Sequence, residues 1–84
     1  MTNDLIKDYL INNKEHLMKL TQPMRYIKSN LLKKYPEVFS DYIKEQYFEL
    51  TKSIIIQDIT KALAVSTEDV ILVLEEINVE EYLK

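Results

Sequence analysis

Apolar residues recur along this chain mostly three and four positions apart, with charged residues between them. That spacing places one face of a helix against a core. In residues 3–20, Leu5, Ile6, Tyr9, Leu10, Leu17 and Leu20 keep it, which predicts one helix or two short ones. Thr2 or Asn3 supplies the N-cap. Asn12-Asn13 is the weak point, because asparagine side chains compete for the nearby backbone. Thr21 then reads as a fresh N-cap with Pro23 in the first turn, where a missing N–H matters least. Met24, Ile27 and Leu31 form the next stripe, widened by Leu32 and Tyr35. Pro36 stops it by pushing Tyr35 out of the α region. The same proline is placed to open a third helix. Phe39, Tyr42, Ile43, Tyr47 and Leu50 line one face of it, opposite Glu37, Asp41, Lys44, Glu45 and Glu49.

The run Ser53-Ile54-Ile55-Ile56 breaks the pattern. Consecutive β-branched residues favour a strand, so a short extended segment near 53–56 is expected to feed a helix from about Gln57 to Ala64. The alternative is that the helix already begins in this run. Val65-Ser66 makes a turn, and Ser66 or Thr67 caps the next helix, with Ser66 and Asp69 at capping-box spacing. Val70, Val73, Leu74 and Ile77 form its buried stripe. The tail, with Tyr82 and Leu83, either packs back or pairs as a short strand. The expected architecture is a compact, mainly α bundle of four or five short helices, one domain spanning 1–84.

Composition narrows this further. A chain of 84 residues buries a small core, so its stability margin is thin. There is no Cys, which removes disulfides and thiolate metal sites. There is no Gly either, which removes the close-approach loops that cradle nucleotide phosphates. The start has no signal-peptide core, and the longest aliphatic run, Val70 to Leu74, falls far short of the roughly 20 residues a membrane span needs. A cytoplasmic protein with no membrane association is the expectation. Charge is uneven. Residues 1–35 hold seven Lys/Arg against three Asp/Glu, net +4, and residues 36–84 hold four against eleven, net −7, giving −3 for the whole chain.

Ile59, Leu63, Ala64, Val65, Ser66, Val70 and Val73 resemble the helix-turn-helix superfamily, which includes winged-helix domains. In that family a small residue, usually Gly, occupies the turn; here it is Ala64. Apolar residues on either side lock the two helices together. The likeness covers residues 57–77, about a quarter of the chain, and only seven residues follow Ile77, too few for a full wing. The resemblance implies that Ser66, Thr67, Glu68, Asp69, Ile71, Leu72 and Glu75 face a nucleic-acid groove. Chemistry opposes that use. Duplex DNA is a polyanion, and base readout relies on Arg, Lys, Asn and Gln.

The acidic helix suits a different target. At about 100° per residue, Leu72 falls nearly opposite the buried stripe, among Glu68, Glu75 and Glu76, with Ile71 at the border. Glu68, Asp69, Ile71, Leu72, Glu75 and Glu76 therefore form a candidate docking face for a basic, partly apolar protein. A nucleic-acid-binding protein is one such partner, its groove filled by a phosphate-like surface. The alternative is that Leu72 packs against the N-terminal helix or tail of its own chain. The rival surface is the basic helix 22–35, where Gln22, Arg25, Lys28, Ser29 and Lys33 are the types that contact phosphates and bases. Leu17 to Thr21 would then be the turn of a second helix-turn-helix. A homodimer suits either reading.

Enzyme chemistry has little to stand on. His16 is the one histidine, and no nucleophile sits in an activating motif. Paired acids such as Glu75-Glu76 lack the loop spacing of a calcium site. No catalytic residue, metal or cofactor is expected. The leading expectation is a small non-enzymatic regulator or inhibitor. The alternative is a DNA-binding regulator.

Overall fold

The computed structural model describes residues 2–38 and 40–83. Five helices follow in order: α1 Thr2–Asn12, α2 Lys14–Lys34, α3 Asp41–Leu63, α4 Thr67–Glu76 and α5 Val79–Tyr82. The fold is all-α, with no strand among the described residues. Phe39, placed by its spacing on the third helix, lies outside them.

Asn13 separates α1 from α2, as the paired asparagines predict. Its side chain donates to the Tyr9 carbonyl at 2.9 Å, which satisfies an end of α1 while interrupting the helix. Thr21 does not begin a helix. α2 runs through Pro23 without a break. Proline lacks the N–H that would bond the Lys19 carbonyl four residues back. Two side chains bond carbonyls of the turn that precedes it. The Thr21 hydroxyl, fully buried, donates to the Leu17 carbonyl at 2.9 Å. Arg25 folds back along the helix, donating from Nη2 to the Met18 carbonyl at 2.6 Å and from Nε to the Thr21 hydroxyl at 3.3 Å. The expected turn at Leu17 to Thr21, and the second helix-turn-helix built on it, are therefore absent.

Pro36 stops α2 as expected, but it does not start α3. Residues 36–38 are turn, and Ser40 caps α3, its hydroxyl accepting from the Ile43 N–H at 3.4 Å. Asp41 then occupies the first turn, where a negative charge meets the helix dipole. The expected strand at 53–56 is helix instead. Thr51, Ile55 and Ile59 share one buried face, and this burial outweighs the local β preference of three isoleucines. α3 ends at Ala64, which adopts a left-handed conformation with φ 53° and ψ 43°. The Ser66 hydroxyl accepts from the Asp69 N–H at 3.2 Å and starts α4. The tail turns once more as α5 and packs back, with Val79 and Leu83 buried and the Tyr82 hydroxyl donating to the Leu10 carbonyl.

The core lies at one end of the molecule. Ile6 and Leu10 of α1, Leu17 of α2, and Ile55 and Ile59 of α3 meet Val70, Val73 and Leu74 of α4. Val79 and Leu83 close it. At the other end, the second half of α2 and the first half of α3 project as an antiparallel hairpin. The long axis measures 45 Å against 22 and 19 Å, and the radius of gyration is 13.7 Å. A globular chain of this length has about 12 Å, so the hairpin stands out from the rest.

Candidate functional site

α4 presents its outer face to solvent because its inner stripe is occupied. Val70, Val73 and Leu74 point into the core. The next residues around the helix are then forced outward: Glu68, Leu72, Glu75 and Glu76 are exposed, Ile71 lies at the edge and Asp69 is half-buried. Leu72 is 55% exposed. All six predicted residues thus share one side of α4. Glu76 is anchored, its carboxylate 3.2 Å from Lys7 of α1. Beside this face, between α3 and α4, runs a groove of about 310 Å³ lined by Ile56, Ile71, Leu74, Ser53 and Glu75, with Glu49 and Lys52 paired at 3.3 Å. Its apolar residues and the Glu75 carboxylate are complementary to a segment that carries both apolar and basic side chains.

The five basic-helix candidates do not form one surface. Gln22, Ser29 and Lys33 are exposed and lie on one side of α2. Arg25 turns inward to the Met18 carbonyl and Thr21 hydroxyl. Lys28 faces α3, in a cleft shared with Leu32, Glu45 and Phe48. Sequence spacing alone does not reveal this, because Arg25 bonds a carbonyl seven residues back and the buried Thr21 hydroxyl, contacts that the helical period ignores.

A polar cluster that sequence reading missed joins three elements. Asp58 of α3 accepts from the Tyr9 hydroxyl of α1 at 2.6 Å and lies 3.0 Å from Nε2 of His16 in α2. These residues are far apart in the chain, so no motif announces them. Burial pushes the Tyr9 phenol up to about 12, helped by its hydrogen bond and the charge of Asp58. Burial also acts to raise Asp58, but the hydrogen bonds from Tyr9 and His16 outweigh it and the carboxyl ends below its usual value. Every oxygen of the carboxylate is engaged within the fold, so the cluster ties α1, α2 and α3 together. Among the described residues, no group of His, Asp and Glu is arranged to hold a metal ion, and no helix is long and apolar enough to cross a membrane. In comparisons with known proteins, the chain matches no family model, no curated protein and no solved structure.

Proposed function

We propose that this chain is a non-enzymatic binding protein, a small regulator or inhibitor that works by docking a protein partner on the acidic, apolar face of α4. The observation that carries this reading is the position of Leu72, which stands in solvent between Glu68, Glu75 and Glu76. Desolvating such a leucine stabilises a complex, and the surrounding carboxylates select a basic partner and speed its approach. A nucleic-acid-binding protein fits that chemistry, its phosphate-binding surface covered by the acidic helix. The helix-turn-helix likeness of residues 57–77 supplies the short turn that projects α4, while its acidic side chains disfavour DNA. The dispersal of Arg25 and Lys28 away from Gln22, Ser29 and Lys33 weighs against the alternative, a DNA-binding regulator using the basic helix.

The test is a capture experiment with the full chain and two sets of variants. A partner held by the wild type should be lost on Leu72→Ser and on Glu75→Lys, and kept by the triple change of Gln22, Ser29 and Lys33 to Ala. If the captured protein binds nucleic acid, the chain and the nucleic acid should compete. Retention of the same partner by both α4 variants would contradict the proposal. Steeply salt-dependent binding to a labelled mixed-sequence duplex, lost in the triple variant, would favour the DNA reading.

A further inference from the structure

The projecting hairpin carries a second surface, independent of α4. Between residues 22 and 50 no described residue is buried, yet the segment is rich in large apolar side chains. A helix pair with an apolar face is one layer of a structure that needs two. The face is regular. His16 and Asp58, in contact at 3.0 Å, set the register of α2 against α3. Steps of 4, 4, 3 and 4 residues forward from His16 reach Leu20, Met24, Ile27 and Leu31. The same steps backward from Asp58 reach Ile54, Leu50, Tyr47 and Ile43. Alternating steps of 3 and 4 stay on one side of a helix. The two rows therefore run side by side on the same face of the hairpin. Leu20, Ile27 and Leu50 are 39%, 43% and 51% exposed there, and the other five are half-buried.

We infer that this face binds a second copy of the chain, α2 of each copy lying over α3 of the other in a four-helix bundle. Three observations select that occupant. The two rows have the same length and step, so a two-fold operation lays one row upon the other, as an isologous interface requires. The area is adequate. The rows run for about 22 Å across two helices, which yields on the order of 600 Å² per copy, near the lower end of stable dimers. The charges favour the crossed pairing. Laying α2 on α2 would bring Lys34 of one copy close to Lys19 of the other, whereas laying α2 on α3 in the His16–Asp58 register sets Lys34 level with Ser40 and Lys19 level with Ile55, away from a second lysine of α2.

Sedimentation of the full chain against concentration tests this. The expected species is a dimer, at twice the 10.0 kDa of one chain. Ile27→Glu with Leu50→Glu should give a monomer with an unchanged helical circular dichroism spectrum, because both side chains are exposed in the single copy. Leu72→Glu on α4 should remain a dimer. If the double glutamate variant unfolds, Leu50→Gln carries the same test, with the dimer Kd expected to rise at least about tenfold. A wild type that stays monomeric up to about 1 mM would overturn the inference. So would a folded Ile27/Leu50 variant that still dimerises, or a dimer lost on changing Leu72.

Discussion

The two ends of this molecule are built from the same materials and reach different states. At the head, isoleucines and valines at helical spacing are fully enclosed: Ile55, Ile59, Val70 and Val73 expose nothing. In the hairpin, Ile27, Leu32 and Leu50 keep the same spacing and stay 40% exposed or more. The head has α1, α4 and α5 to close over α3; the hairpin has only its two arms. Apolar periodicity therefore specifies a helix and its sticky side, and the number of layers available decides whether that side becomes core or interface.

The contrast is sharpest in the response to truncation. Ile55→Ala should cost about 2–5 kcal/mol, the range for a large side chain removed from a closed core. Ile27→Ala should cost less, about 1 kcal/mol in the monomer, since 43% of its surface stays in water. Urea unfolding of dilute protein measures both, and equal costs would dissolve the distinction between the two ends.

Arg25 marks the border between them. If it splints the helix at Pro23, Arg25→Ala should destabilise the chain by about 1 kcal/mol, and Arg25→Lys should recover little because an ammonium lacks the two-pronged guanidinium. Thermal melts of the two variants decide this. A surface arginine without such a role would give no change in either.

The Tyr9–Asp58–His16 cluster should make the head sensitive to pH at both extremes. The folded phenol of Tyr9 titrates higher than an unfolded one, so its contribution is complete below pH 10 and is lost as pH rises towards about 12. The carboxyl of Asp58 titrates lower in the fold. Its contribution is complete above the ordinary carboxylate range and disappears as pH falls through the lowered value. Tyr9→Phe should remove the alkaline loss, and Asp58→Asn the acid loss. Stability measured across pH in both variants checks the assignment.

The smallest effect is expected at the turn before α4. Ala64 holds a positive φ that suits glycine better. Ala64→Gly should raise stability by up to about 1 kcal/mol, and Ser66→Ala should lower it by about 1 kcal/mol through loss of the cap. Chemical unfolding of both variants provides the comparison.

Local chemistry that acts within a few residues was readable from sequence. The Asn13 break, the stop at Pro36, the Ser66 cap and the outward face of α4 all follow from side chains near in the chain. Errors arose where distant contacts overrule local preference. Ile54-Ile55-Ile56 favours a strand until Ile55 is placed against the core. Thr21-Gln22-Pro23 resembles a helix start until Arg25 and Thr21 engage the carbonyls around the proline. Pro36 is as suited to opening α3 as Ser40, and only the hairpin turn separates them. The cluster at Asp58 was invisible because its members come from three helices. The exposed rows of the hairpin were visible as apolar stripes, but periodicity does not say whether a stripe is covered.

Hydrogen exchange of the backbone amides, read at two protein concentrations, tests the division most directly. Residues 51–63 and 67–76 should be protected alike in dilute and concentrated solution. Residues 22–50 should exchange readily when dilute and gain protection as concentration rises and the hairpin is covered. Uniform protection of the whole chain, independent of concentration, would contradict the claim that the head completes itself while the hairpin waits for a partner.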